Sequence, residues 1–252
     1  MSGAMSAASD SWVSSRRPAR TTRLRLFCFP YAGAGASIFR SWSDGLPTDV
    51  ELCPIQLPGR ETRLLEPPYA RLSPLVEAVA EALTPLLDRP FAFFGHSLGT
   101  LIAFELARRL RELYSVSPVR LIVSAGAAPQ LSHRGRPVHN LPEKEFFAEL
   151  RRLNGTPLEL LNHAELMEIM LPLLRADFAV YETYQYSAAP ALECPISAFG
   201  GLQDARVTRA DLAAWSAQTN DAFSLQMFPG DHFFLKQPLV ISAISQELKW
   251  HR

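Results

Sequence analysis

The sequence predicts a single α/β domain with a mostly parallel central sheet and helices on both faces. From Leu24 onward, short apolar runs bounded by Gly or Pro alternate with helix-like stretches. This alternation is typical of strand–helix–strand crossover units, which place successive strands parallel to each other. The chain has 252 residues, 48% of them hydrophobic, which is enough for one large domain with a full core.

Six short apolar runs are predicted to be the strands of the sheet. They lie at Leu24–Phe29, Val50–Gln56, Phe91–Gly95, Val119–Ala125, Ile196–Gly200 and Ser224–Phe228. Helical patterns occupy the sequence between them, at Ser73–Leu87, Leu98–Tyr114, Arg209–Ala217 and Leu239–Leu248. The strands therefore follow one another through helical crossovers, as a parallel sheet requires.

The stretch between Ala125 and Ile196 breaks this rhythm, because it contains helix and loop patterns but no strand. Its helix-like runs are Pro142–Leu153, His163–Leu171 and Pro172–Tyr186. We expect Pro172 to begin a new helix, since proline is tolerated in a first turn but not in a helix interior. Long insertions between strands are usually functional. We therefore expect a helical lid over about residues 132–190; a decoration that only adds stability is the alternative.

Composition and charge restrict the class of partner and the compartment. Lys plus Arg and Asp plus Glu each number 25, and this balance argues against nucleic acid or an anionic membrane as the main partner. Cys28, Cys53 and Cys194 are odd in number and lie in apolar runs, which favours buried, reduced thiols. Residues 1–23 lack the apolar core of a signal peptide and are expected to be a flexible tail before a domain at 24–252. We expect a cytoplasmic monomer.

The segment Gly95–Gly99 carries the strongest chemical signal. It reads Gly-His-Ser-Leu-Gly, matches the pattern G-x-S-x-G, follows a predicted strand directly and opens a predicted helix. This context predicts the nucleophile elbow of an α/β-hydrolase fold, with Ser97 as the expected nucleophile. The helix N-terminus directs its positive end at the seryl oxygen, and the N–H of Leu98 becomes one donor of an oxyanion hole.

A second oxyanion donor is expected in the loop after the first predicted strand. This loop contains small residues that allow the backbone to approach a substrate, and Ala32 N–H is the candidate donor, with Tyr31 lining the site. A dinucleotide-binding loop is the alternative, because Gly33 and Gly35 also follow a strand. However, Ile38 stands where the third glycine of that motif belongs, and the second strand lacks the expected acid.

The base and the acid are assigned from their places after later strands. Of six histidines, His232 is the one that follows the last predicted strand, at the carboxyl edge of the sheet. Asp204 follows the strand before it, which completes the order serine, acid, histidine. Asp231 adjoins His232 but is poorly placed to reach the far side of the imidazole. Such a Ser97–His232–Asp204 triad needs no metal or organic cofactor.

The chain resembles the stand-alone type II thioesterases that accompany polyketide and non-ribosomal peptide synthases. The motifs that carry the resemblance are Phe29-Pro30-Tyr31-Ala32-Gly33, Gln56-Leu57-Pro58-Gly59-Arg60-Glu61, Phe94-Gly95-His96-Ser97-Leu98-Gly99, Leu174-Arg175-Ala176-Asp177-Phe178 and Gly230-Asp231-His232-Phe233-Phe234. They extend over the chain from residue 24 onward. Pro-Gly-Arg-Glu and Leu-Arg-Ala-Asp-Phe are the most particular to this family. One departure is Leu98-Gly99-Thr100, where many members look like Met-Gly-Ala.

The resemblance implies a function that spacing alone does not. Members of this family hydrolyse acyl groups from the phosphopantetheine arm of carrier proteins and so clear stalled synthases. It implies an acyl-loaded carrier protein as partner, a mobile lid, and a role for Asp177 and Phe178 in binding the substrate. Two other functions stay open on the residues: a small-molecule carboxylesterase or acyl-CoA thioesterase on the same fold, and a catalytically silent binding module, against which the intact triad argues.

Overall fold

The computed structural model describes residues 11–14, 21–131, 135–155 and 158–249. Six strands form one sheet in the order β2-β1-β3-β4-β5-β6, and every neighbouring pair is parallel. The strands are β1 (Leu24–Phe29), β2 (Val50–Pro54), β3 (Phe91–His96), β4 (Arg120–Ser124), β5 (Ile196–Gly201) and β6 (Phe223–Phe228). All six predicted strands are present, each within two residues of its predicted bounds.

Helices cover both faces of this sheet. They are α1 (Leu72–Leu83), α2 (Leu98–Tyr114), α3 (Glu143–Leu153), α4 (Leu158–Leu161), α5 (Ala164–Glu182), α6 (Arg209–Ala213) and α7 (Pro238–Glu247). Short 3-10 helices lie at Ala36–Asp44, Glu61–Arg63, Thr84–Leu86, Ala214–Gln218 and Phe234–Lys236. One core cluster contains side chains of α1 and α2, and a second contains side chains of α7 and of the 3-10 helix at Ala36–Asp44. The prediction of an α/β fold with helices on both faces agrees with this arrangement.

The insertion between β4 and β5 contains α3, α4 and α5, and one detail of its prediction is wrong. Pro172 does not begin a new helix but lies inside α5. Its missing N–H removes one helix hydrogen bond, which disfavours a proline in this position. The apolar face of α5 nevertheless continues across the proline, with Met167 buried before it and Leu173 and Leu174 buried after it. Burial of this continuous face offsets the lost hydrogen bond.

Residues 11–14 pack against the domain, which corrects the prediction of a flexible tail at these positions. Trp12 and Val13 are buried, and Val13 forms an antiparallel bridge with Ile55 at the end of β2. The Arg63 guanidinium lies 4.0 Å from the Trp12 ring centroid. Because β2 is an edge strand, its open side can accept this short segment. Residues 1–10 and 15–20 of the predicted tail lie outside the described residues.

No helix in the described part of the chain combines the length and the apolar composition that crossing a membrane requires.

Candidate active site

The turn between β3 and α2 holds Ser97 in a strained backbone conformation with a positive φ. Its backbone has φ 54 and ψ −115, and its N–H donates to Ser124 O at 2.8 Å. A Cβ on Gly95 would lie 2.2 Å from Gly99 O, and one on Gly99 would lie 2.2 Å from Phe29 O. Both flanking positions therefore exclude a side chain, which is the physical reason for the two glycines of the motif.

The carboxyl edge of the sheet brings Ser97, His232 and Asp204 together, as the sequence predicts. His232 Nε2 lies 3.0 Å from Ser97 Oγ, and His232 Nδ1 lies 2.8 Å from Asp204 Oδ2. An ionised carboxylate only accepts, so Nδ1 carries the proton and Nε2 is left to accept from the hydroxyl. The His232 and Asp204 side chains are 6% and 1% exposed, so the hydrogen bond between them is shielded from water.

The surroundings of Asp204 keep its carboxylate ionised. Burial alone would raise its pKa, but the hydrogen bond from His232 opposes this, together with the backbone N–H groups of Arg206 and Val207. The net result is a pKa below the ordinary value for aspartate. Those two N–H groups donate to Asp204 Oδ1 at 2.8 and 3.3 Å, whereas Oδ2 faces the histidine. Asp231 is engaged elsewhere, because its carboxylate accepts from Phe233 N at 2.9 Å.

The loop after β1 forms a turn beside Ser97. Ala34 N donates to Tyr31 O at 3.0 Å, and Gly33 has a positive φ of 79. The Gly33 N–H donates to the Asp177 carboxylate, so it is already engaged within the protein. Ala32, Leu98 and Tyr31 all line the same cavity as Ser97. All three residues therefore lie at the site, and the roles of the Ala32 and Leu98 N–H groups as oxyanion donors stay a prediction.

A cavity of about 1080 Å³ opens onto the seryl hydroxyl and extends beneath the insertion. The insertion contributes part of its apolar lining, from Leu141, Leu150, Leu174, Phe178 and Tyr181. Phe178 therefore lies where the resemblance implies. Asp177 does not: it is absent from the lining and is 3% exposed, with its carboxylate bound to protein groups. The prediction that Asp177 contacts substrate is not supported, because its neighbours satisfy its charge.

His96 has a part in the site that the sequence did not indicate. Its Nε2 lies 2.9 Å from His232 O, and its Nδ1 lies 2.9 Å from Ser124 Oγ. The carbonyl can only accept, so Nε2 carries the proton and Nδ1 accepts from the hydroxyl. Burial, and then the charge of His232, lower the His96 pKa to about 3. A neutral His96 thus anchors the backbone of the His232 loop.

The depressed pKa of His96 predicts a pH-dependent stability. In the unfolded chain this histidine titrates near pH 6.5, whereas in the folded protein it stays neutral down to about pH 3. Between these values the unfolded chain binds the extra proton. The contribution of His96 to the free energy of unfolding should therefore fall by about 1.4 kcal/mol per pH unit as the pH is lowered between these values.

Urea unfolding from pH 7.5 to 4.5 measures this effect, with His96→Gln as the comparison. The difference between the two proteins cancels the contribution of the carboxylates. We expect a shallower pH dependence in the variant; equal slopes would contradict a buried, neutral His96.

A parallel sheet with a serine on a strand-to-helix elbow, facing histidine and aspartate, defines an α/β-hydrolase. Within this class, a family model described as the thioesterase domain matches residues 24–248. The chain belongs to the thioesterase family, and it is an enzyme of that hydrolase class.

Relatives in biosynthetic pathways support this assignment. Gramicidin S biosynthesis protein GrsT from Aneurinibacillus migulanus is 51% identical over 226 residues, covering 90% of this chain and 88% of GrsT. Thioesterase PikA5 from Streptomyces venezuelae is 39% identical over 228 residues, covering 90% and 81%. The solved structure of the type II thioesterase BorB from the borrelidin biosynthetic cluster has a TM-score of 0.86 at 37% identity, covering 95% of this chain and 98% of BorB. The resemblance to type II thioesterases and the predicted fold are confirmed.

Proposed function

We propose that this thioesterase releases acyl groups from the phosphopantetheine arm of carrier proteins in polyketide or non-ribosomal peptide biosynthesis. The observation that carries the proposal is the hydrogen-bonded Ser97–His232–Asp204 array, which opens to a large cavity with an apolar lining. An apolar chain can be buried in such a cavity while its thioester carbonyl meets the serine. The biosynthetic relatives support this class of acyl substrate.

The mechanism follows from the position of each proton. His232 accepts the proton of Ser97 as Oγ attacks the thioester carbonyl, and the oxyanion is stabilised by the N–H groups of Ala32 and Leu98. Collapse of this adduct breaks the C–S bond, and His232 returns the proton to the departing thiolate. Water then attacks the acyl-enzyme by the same steps and releases the acid. Asp204 stabilises the imidazolium in both half-reactions.

We propose that the insertion over about residues 132–190 is a lid on the acyl site. It has a hydrophobic cluster of its own, formed by Leu141, Phe146, Leu150, Leu161, Met167 and Leu174. Three of these residues, Leu141, Leu150 and Leu174, also line the cavity. An acyl chain would therefore contact the core of the lid itself. A lining built from flexible apolar side chains should discriminate weakly between chains, since each methylene contributes only about 1 kcal/mol.

A side-by-side measurement of kcat/KM tests the carrier preference. The same acyl group is presented as an acyl-carrier protein, as acyl-CoA and as a simple activated ester, with Ser97→Ala as the background control. We expect the carrier substrate to be preferred over acyl-CoA by about tenfold or more, because the partner surface adds binding energy. Equal or higher values for the CoA thioester or the ester would instead favour an acyl-CoA thioesterase or a carboxylesterase.

We further propose a cytoplasmic location. Cys28, Cys53 and Cys194 are buried, and burial raises the pKa of Cys194 to about 12. Inert, reduced thiols fit a reducing compartment. The balanced charge supports a partner other than nucleic acid or a membrane. The expected monomeric state stays a prediction.

A further inference from the structure

The carboxylate of Asp177 on α5 links the lid to the loop after β1. Arg60 binds it in a bidentate manner, with Nη1 2.7 Å from Oδ2 and Nη2 2.8 Å from Oδ1. The backbone N–H of Gly33 donates to Oδ2 at 2.7 Å. The Arg60 and Asp177 side chains are only 5% and 4% exposed, so water does not compete for these bonds. Three donors thus fix one carboxylate behind the expected oxyanion loop.

Arg60 extends this link to other backbone groups of the same loop. Its Nη1 also donates to Ala34 O at 3.1 Å. Its own carbonyl accepts from Gln56 Nε2 at 2.9 Å, and Gln56 Oε1 accepts from Ala36 N at 3.0 Å. The loop is therefore held at Gly33, Ala34 and Ala36. The anchors are the Pro-Gly-Arg-Glu segment and the lid helix, the two motifs to which the sequence assigned no shared role.

Helix α5 also packs directly against the turns at Gly33 and Gly59. A Cβ on Gly33 would lie 2.6 Å from Leu174 Cδ2, and one on Gly59 would lie 3.4 Å from Leu173 Cδ1. Both glycines have positive φ, at 79 and 83. Leu173, Leu174 and Asp177 are spaced to share one face of a helix, and this face packs against the two turns. A displacement of α5 therefore cannot leave the Gly33 turn unaffected.

We infer that Arg60 and Asp177 are positioning residues that set the orientation of the Ala32 N–H for oxyanion binding. The inference rests on the proposed function. The Gly33 N–H belongs to the peptide that follows Ala32, so holding it fixes the turn that presents the Ala32 N–H. Oxyanion donors act only when they are preorganised, and a shift of about 1 Å can cost a large factor in rate. Through this buried ion pair, the position of the lid helix α5 affects the orientation of the Ala32 N–H at the reacting centre.

The test is Asp177→Asn, which preserves shape but removes the charge that holds Arg60. We expect kcat to fall about ten- to a hundredfold, with KM within about twofold, because the lost interaction acts on the transition state. Inhibition by an alkylboronic acid, whose serine adduct mimics the tetrahedral intermediate, should weaken by a similar factor. Binding of the fatty acid product should change little. A rise in KM with kcat unchanged would overturn the inference.

Glu51→Gln is the matched control for simple loss of a buried ion pair. Arg25 and Glu51 are 8% and 1% exposed and pair at the amino ends of β1 and β2, the edge opposite the triad. We expect this variant to lose stability but keep the wild-type kcat. An equal loss of kcat in Glu51→Gln and Asp177→Asn would show a general stability effect and overturn the inference.

Arg60→Lys tests the same positioning role if Asp177→Asn does not fold. Lysine keeps the charge but cannot reproduce the bidentate fork. We expect a kcat several-fold below wild type with an unchanged KM; a wild-type kcat would overturn the inference. Ser97→Ala separates the two proposals. If that variant stays active, the proposed function fails. If it is inactive while Asp177→Asn and Arg60→Lys keep the wild-type kcat, the positioning role alone fails.

Discussion

Replacing Ser97 with alanine is expected to lower kcat by about 10⁴-fold or more while leaving the protein folded. The change removes only the Oγ atom that lies 3.0 Å from His232 Nε2. The elbow itself should persist, because its backbone bond from Ser97 N to Ser124 O and its two tight glycine contacts do not involve the hydroxyl. Rates on an acyl thioester, with thermal unfolding as the check of the fold, measure the effect.

Covalent labelling by a fluorophosphonate is the control for this variant. The wild-type enzyme should be labelled at Ser97 and the variant should not. A variant that keeps a tenth of the wild-type turnover would contradict the assignment of Ser97 as nucleophile.

The sequence predicted the sheet and the three triad positions because both depend on local signals. Each strand is a short apolar run between turn residues. In a parallel sheet, the residues after successive strands meet at one edge. Once the Gly95–Gly99 motif had located Ser97, chain order was therefore enough to place Asp204 and His232. Five of the six strands differ from prediction by one or two residues at an end, because hydrogen-bond pairing, not composition, decides where a strand ends.

The long-range contacts of the site could not be predicted in the same way. Asp177 and Arg60 are 117 positions apart, and nothing in either segment indicates that a carboxylate of the lid meets this guanidinium. The role of His96 could not be predicted either, because the carbonyl that it binds belongs to a loop 136 positions later. The Pro-Gly-Arg-Glu and Leu-Arg-Ala-Asp-Phe motifs are the most specific to the type II thioesterase family. This specificity was the only indication in the sequence that Arg60 and Asp177 have a role.

Local rules failed where tertiary packing opposed them. Pro172 would break an isolated helix, but the buried face of α5 keeps the helix continuous through it. Trp12 lies in a polar, serine-rich segment typical of a tail, yet the open edge beside β2 and the guanidinium of Arg63 give it a place to pack. In both cases the deciding partner is distant in sequence. Propensity is a weak guide against such burial.

Asp204→Asn should reduce kcat by about 10³- to 10⁴-fold through the tautomer of His232. The two backbone N–H groups at Oδ1, from Arg206 and Val207, require an acceptor, so the amide oxygen of the new side chain should take that place. Its NH₂ group then faces His232 Nδ1, which must become an acceptor. The proton moves to Nε2, and His232 can no longer accept the proton of Ser97. Steady-state rates with thermal unfolding of each variant measure the loss.

Asp231→Asn is the matched control, because it makes the same chemical change one residue before His232. Asp231 accepts a hydrogen bond from Phe233 N through Oδ1, and an asparagine oxygen can accept that bond equally well. The imidazole keeps its Asp204 partner and therefore its tautomer. We expect kcat to stay within about threefold of wild type, since no group that contacts the reacting atoms changes. The opposite ranking, with Asp231→Asn severe and Asp204→Asn mild, would make Asp231 the orienting acid. The 2.8 Å contact between Asp204 and His232 would then be structural only.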